Sequence, residues 1–387
     1  MNVLIVYERK NREYENALLI KFFLEKAGHS CSVCQYYEHE AFKFPWKGSP
    51  EIIFVPHLYT TDSVNRIVAR FGLPKKIINL QYEQVLSEKW ERLGHHNPKG
   101  KAKFYDHICW GPKTAERLKG CGIPVSNIHM IGAPQLDLLN RKFLNFSKAK
   151  SSLSADFNLS LEKKWNLFLS SFTYADISDE RLAMNEGVAG TELSSFKILH
   201  TKSRDKVLDW FETALRQDTS SIFIYRPHPD ELNLEKVEFL SDKYSNFHVI
   251  SYNSAKFWIE ASDSIFSWYS TTVVESHYMN KDYVILRPFD LPEDFDSVLL
   301  KRGKFVTTEK EFLTLYRTAT STMALKDCDV LDYYVNSNDS ILAVEHLPDL
   351  ISKGSVANGI SFSFLELLPH RIKTFIVIFF NILISIS

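Results

Sequence analysis

The feature that most constrains this chain is a repeated alternation of short apolar runs with longer stretches of helical periodicity. In the first third the runs are NVLIVY (2–7), SCSVCQYY (30–37), EIIFVPHLY (51–59), KIINLQY (76–82), HICWG (107–111) and NIHMIGAP (127–134). Between them, Arg12–Ala27 has an apolar face and stops at Gly28, Asp62–Phe71 stops at Gly72 and Pro74, and Lys113–Lys119 forms a shorter helix. Runs of this length, bounded by turn residues, read as buried strands. Strands alternating with helices predict a parallel sheet covered on both faces. A Ser-, Lys- and Asn-rich stretch then interrupts the pattern (SKAKSSLSADFNLSL, 147–161) and reads as a linker. A second series follows: WNLFLSS (165–171), SIFIY (221–225), FHVIS (247–251), SIFSW (264–268) and YVILR (283–287), with helices at Arg204–Arg216 and Asn233–Tyr244.

The expected fold class is therefore α/β, two Rossmann-like doubly wound domains facing a central cleft. The boundaries read from the pattern are 1–145 for the first domain, 146–162 for the linker, 163–345 for the second domain and 346–387 for a C-terminal tail. A length of 387 residues suits two domains. Folds of this kind bind ligands at the carboxyl ends of their strands. Gly-x-Gly-x-x-Gly and Walker patterns are missing, which argues against dinucleotide redox chemistry and P-loop hydrolysis. The net charge of −1 gives no global electrostatic case for nucleic acid.

Five cysteines without scaffold spacing, and an N-terminal apolar run too short for a secretory signal, point to the reducing cytoplasm. Cys31-x-x-Cys34 has no second pair, and no metal or cofactor is expected. The apolar end Thr374–Ser387 follows His370, Arg371 and Lys373. As a helix it spans roughly 21 Å, short of the ~30 Å hydrocarbon core. It reads either as an element tucked into a groove or as a peripheral attachment to the inner membrane surface.

Two stretches of the second series carry the chemistry. The first, SIFIYRPHPDE (221–231), runs a strand into Arg226 and into His228, which is held between Pro227 and Pro229. Proline fixes φ, so the imidazole can be aimed with little freedom left to lose, and the guanidinium offers a planar fork for phosphate. The second, SIFSWYSTTVVES (264–276), is a strand followed by a helix with Ser270, Thr271 and Thr272 at its start and Glu275 one turn in. Hydroxyls and backbone N–H groups there would make an anion site, and Glu275 could accept hydrogen bonds from ribose hydroxyls. Each stretch alone also fits a rigid turn or an ordinary helix cap. Both fall at strand ends of one domain, which favours a shared ligand. Ser170, Ser171, Thr173 and Ser267 lie at neighbouring strand ends as further donor-site candidates.

A strand ending in Arg-Pro-His-Pro, followed by a strand and a Ser-Thr-x-x-x-Glu helix, resembles the donor domain of GT-B glycosyltransferases of bacterial surface polysaccharides. The relatives are capsule Kdo transferases, polysialyltransferases and polyol-phosphate transferases of teichoic-acid type. The resemblance implies a CMP-sugar or CDP-polyol donor and a glycan or lipid-linked acceptor, with no metal dependence. It matches His228 to the histidine that assists loss of the nucleotide, Ser270 and Thr271 to the pair that holds donor phosphate or carboxylate, and Glu275 to the ribose-binding Glu. The first half is similar to surface carbohydrate biosynthesis proteins through Arg12-Glu13, INLQYEQ, Trp110-Gly111 and Gly132-x-Pro134-x-x-Asp137. Inverting transfer needs a base for the acceptor hydroxyl. Glu83, just past a strand, is the first candidate and Glu8 the second, with Glu8 and Arg12 also placed to touch the acceptor. Two other readings stay open, a nucleotide-sugar epimerase of the same fold and a non-catalytic scaffold for polysaccharide assembly.

Overall fold

The computed structural model describes residues 1–36, 49–140, 149–317, 323–336, 341–353 and 360–386. They form two compact units, Met1–Leu138 together with Leu331–Ser387, and Leu139–Val330. In the first unit six parallel strands lie in the order β2-β1-β3-β4-β5-β6: β1 Asn2–Tyr7, β2 Ser30–Gln35, β3 Ile52–Val55, β4 Lys76–Asn79, β5 Asp106–Cys109 and β6 Ile128–Met130. In the second the order is β12-β11-β10-β7-β8-β9: β7 Trp165–Leu169, β8 Ile222–Arg226, β9 Phe247–Val249, β10 Ser264–Ser267, β11 Tyr283–Leu286 and β12 Phe305–Val306. Both sheets are doubly wound, as the alternation predicts. The winding reverses between β1 and β3 in one unit and between β7 and β10 in the other, where such sheets open a crevice.

Local sequence explains the covering helices. Thr60 caps the helix Thr61–Phe71 by accepting a hydrogen bond from the Ser63 N–H at 3.1 Å, while the Ser63 hydroxyl accepts from the Thr60 N–H at 2.9 Å. The face this fixes, Val64, Ile67, Val68 and Phe71, buries against Leu4, Val6, Ile53 and Val55. In the second unit the core is aromatic: Phe168, Phe211, Phe223, Trp268 and Phe312 pack together, with Phe211 and Phe223 ring centroids 4.4 Å apart. A fully buried side chain of this size contributes about 1.5–3 kcal/mol.

The units depart from the expected boundaries in two ways. The boundary near 145 lies outside the described residues, and the stretch read as a linker holds the helix Ala149–Phe157, whose Phe157 ring lies 5.2 Å from Trp258. The polypeptide also returns to the first unit at Leu331, not at 346. Long-range contacts make that return. A Cβ on Gly111 would lie 2.4 Å from the Tyr333 carbonyl carbon, so only glycine admits the returning backbone. Asn336 exchanges hydrogen bonds with the Ala133 backbone at 2.7 and 3.1 Å, and Asp137 accepts from the Val344 N–H at 2.8 Å. Burial pushes the Asp137 carboxyl up to about 7. The Trp110-Gly111 and Gly132–Asp137 motifs thus hold the returning segment in place.

The C-terminal helix begins at Phe364, ten residues earlier than the apolar run, and continues to Ile386. Leu367 joins the first core, and His370 lies 3.3 Å from Asp62. Among the described residues no helix is long and apolar enough to cross a membrane.

Candidate active site

In the second unit the candidate residues come from three adjacent strand ends, those of β10, β7 and β8. The His228 turn is built from below by a buried network. Glu231 accepts from the Ser170 hydroxyl at 2.6 Å, from the Tyr225 hydroxyl at 2.5 Å and from the His228 N–H at 3.3 Å. Glu231 and Tyr225 are both buried, and burial raises the titration of each. Above this base the Asp230 N–H donates to His228 Nδ1 at 3.1 Å. An accepting Nδ1 leaves the ring proton on Nε2; the same nitrogen lies 3.8 Å from Asp230 Oδ2, and the side chain is 37% exposed. The two prolines and Glu231 therefore present an Nε2–H donor at the strand end.

The neighbouring candidates divide. Ser171 accepts the Tyr269 N–H at 3.1 Å and so ties the β7 and β10 loops, while Thr173 is half-buried in the same turn. Ser267 is fully buried and donates to the Leu169 carbonyl at 3.0 Å, so its hydroxyl is engaged within the sheet. Ser270 donates to Thr272 Oγ1 at 2.9 Å, and Thr271 is exposed.

The expectation of free N–H groups at the helix start needs correction. The N–H groups of Thr272, Val273, Val274 and Glu275 all find acceptors in Ser270, Thr271 and Thr272. The helix Val273–Tyr278 is also short. Arg226 differs from expectation as well. It donates to the carbonyls of Tyr252, at 2.8 Å, and Asn253, so its fork is held by the 252–253 loop. Burial lowers its titration to about 10, partly opposed by Glu275. Glu275 in turn is pushed up to about 7 by burial, which Lys256 and Arg226 partly offset. Loops after β7 and β8 also border a recess of about 510 Å³ lined in part by Asp176, Ser178, Arg181 and Leu232.

In the first unit the ends of β1, β3 and β4 gather a second cluster. A π-helical turn, Lys10–Tyr14, follows β1, an irregularity often found at functional positions. It buries Glu13, which accepts the Glu8 N–H at 2.7 Å and pairs with Arg12 at 2.7 Å. Arg12 reaches Glu83 at 3.2 Å, and Glu8 lies 3.5 Å from His57 Nδ1. Glu83, Glu8 and Arg12 are thus brought to one edge. The cluster also holds His96, from a His-His pair that reads in sequence as a loop able to touch an acceptor. Its Nδ1 lies 3.2 Å from Glu83 Oε2 and 3.0 Å from the Tyr59 hydroxyl.

Burial opposes the Glu83 charge, yet His96 and Arg12 prevail and hold its carboxyl below the usual range. Burial lowers the His96 titration despite Glu83. The ring is thus held through Nδ1 between the Tyr59 hydroxyl and the Glu83 carboxylate, a histidine paired with an acid, from which a base can be built. The adjacent HLY and His-His strings were the available signals.

Among the described residues no group of three or more His, Cys, Asp or Glu side chains is placed to hold a metal ion. Asp296, of the sequence Asp294-x-Asp296, is tied to Arg287 at 2.9 Å.

No protein-family model matches this chain, and no curated protein matches it by sequence. Solved structures do match in fold. The wall teichoic acid polymerase TagF aligns over 91% of this chain and 88% of its own, with TM-score 0.57 and 13% identity. Staphylococcus aureus MnaA, solved with UDP, aligns over 91% and 96%, with TM-score 0.57 and 13% identity. The UDP-GlcNAc 2-epimerase of Neisseria meningitidis, bound to UDP-GlcNAc, aligns over 91% and 99%, with TM-score 0.54 and 13% identity. The chain has the two-domain GT-B fold of these enzymes.

Proposed function

We propose that this chain is an inverting transferase that moves a sugar or a polyol phosphate from a cytidine-nucleotide donor to a growing bacterial surface polysaccharide. The observation that carries the reading is the His228 turn, an imidazole whose Nδ1 accepts from the Asp230 N–H and whose backbone N–H is bound by Glu231. In this reading the Nε2–H of His228 donates to the phosphate as its charge develops. Arg226 adds field, Ser270, Thr271, Thr272, Ser171 and Thr173 line the phosphate and carboxylate positions, and Glu275 takes the ribose hydroxyls. The Glu83–His96 pair of the first unit takes the acceptor proton, with His96 as the base and Glu83 as its positioning partner. Arg12 and Glu8 orient the acceptor, a glycan or lipid-linked glycan.

The bonds balance for both donor types. With a CMP-sugar, the acceptor oxygen bonds to the anomeric carbon as the bond from that carbon to the phosphate oxygen breaks. With a CDP-polyol, it bonds to the distal phosphorus as the diphosphate bridge breaks. CMP leaves in either case, and no metal is required because His228 and Arg226 meet the charge. The equal fold likeness to UDP-GlcNAc 2-epimerases favours a second reading, in which a UDP-sugar is isomerised without an acceptor. Incubation with a CMP-sugar, a CDP-polyol or UDP-N-acetylglucosamine, with and without glycan acceptor and followed by NMR, separates them. Acceptor-dependent release of CMP supports transfer; acceptor-independent change at the sugar ring supports the epimerase.

A further inference from the structure

The helix Phe364–Ile386 has two faces with different fates. Leu367, His370 and Thr374 recur at helical spacing on the inner face. Leu367 is buried in the first core, His370 meets Asp62 at 3.3 Å, and Glu366 beside them pairs with Lys101 at 3.0 Å. These contacts dock the helix on Thr61–Phe71. On the other side Phe364, Ile372 and Phe375 follow the steps of one helical stripe, bordered by Leu365 and Ile376. All five are large apolar side chains, and Phe375, for instance, is 57% exposed. Arg371 and Lys373, both exposed, fall on opposite borders of that stripe. The same helix then runs on through a sequence, VIFFNILISI (377–386), that has no charged residue.

An apolar stripe edged on both sides by long cationic side chains is the arrangement of a helix lying in a lipid headgroup layer. A soluble helical partner would need no such paired cationic border, whereas anionic headgroups do favour one. We propose that the outer face of this helix docks the first unit onto a bilayer surface carrying anionic lipid, lying in the interface without crossing it. The occupant is set by the chemistry of the stripe: acyl chains against Phe364, Ile372, Phe375 and Ile376, and headgroup phosphates against Arg371 and Lys373. This inference is independent of the donor reading, because none of these residues belongs to the candidate active site.

The test is co-sedimentation of the full chain with vesicles of phosphatidylcholine alone and of phosphatidylcholine with phosphatidylglycerol. Analytical ultracentrifugation without vesicles is run in parallel. The expected result is binding to the anionic vesicles, weakened by salt, with about fivefold lost for each of Arg371→Gln and Lys373→Gln. Phe375→Ser/Ile376→Ser should abolish it while circular dichroism stays unchanged. Equal binding to neutral vesicles with no effect of the Arg371 and Lys373 changes would overturn the proposal. So would no vesicle binding, or self-association without lipid that the Phe375/Ile376 variant removes.

Discussion

Replacing Tyr225 with Phe removes one hydrogen bond beneath the His228 turn and leaves the ring in the core. The hydroxyl donates to Glu231 at 2.5 Å and lies 2.7 Å from the Ser170 hydroxyl, in a fully buried position. A buried hydrogen bond to an acidic acceptor is worth about 1.5–3 kcal/mol. In a unit of roughly 190 residues that predicts a Tm lower by about 3–12 °C, at about 2–4 °C per kcal/mol. Glu231 would keep two donors but lose the one that holds Oε1, so the His228 N–H bond at 3.3 Å should loosen. Steady-state kinetics with donor and acceptor should then show kcat reduced by about tenfold or more with the donor KM little changed, since a misplaced imidazole weakens the transition state more than ground-state binding. Glu231→Gln should act the same way, because its amide turns a donor toward a hydroxyl. A stability loss of this size with kcat unchanged in both variants would refute the positioning role and leave the network as core packing.

Glu275 gives a pH test. Its folded-state titration is raised to about 7 by burial, so the carboxylate appears as pH rises through that value. Nucleotide affinity should increase between pH 6 and 8 by calorimetry, and Glu275→Gln should flatten the profile. The same raised value means the folded state holds the proton more tightly, so this residue's contribution to stability declines from about pH 4.5 to 7. His96→Ala and Glu83→Gln should each lower acceptor-dependent turnover, by about 10²–10⁴-fold for the histidine, while nucleotide binding is unchanged. Gly111→Ala places a Cβ 2.4 Å from backbone and should destabilise the first unit by at least about 1–3 kcal/mol, read as a lower melting transition with donor binding retained.

The alternation of apolar runs made both sheets legible, because a parallel strand buried on two faces shows as a short unbroken run such as NVLIVY or SIFIY. Two-residue β12, Phe305–Val306, is too short to carry a period. The return of the chain at Leu331 was hidden too, since it depends on Gly111 and Asn336 meeting segments some two hundred residues distant. At the site, the rigidity of Pro-His-Pro could be read locally. The direction of Arg226 could not, for it is set by two carbonyls of the 252–253 loop. A strand-end hydroxyl facing inward, as at Ser267, looks the same in sequence as one facing a ligand. His96 has a left-handed backbone, φ 58°, in a loop with no period of its own, and its pairing with Glu83 is a tertiary fact.

The central claim is that a cytidine nucleotide binds at the His228 edge. The direct measurement is thermal unfolding with CMP, CDP, UDP, GDP and ADP, for the wild type and His228→Ala, with and without EDTA. A ligand at about 100 times its Kd adds about 2.7 kcal/mol. The account predicts a shift of several degrees with CMP or CDP, indifferent to EDTA and reduced in His228→Ala. A shift with UDP alone would contradict the donor assignment, and no shift with any nucleotide, or one untouched by the substitution, would contradict the site itself.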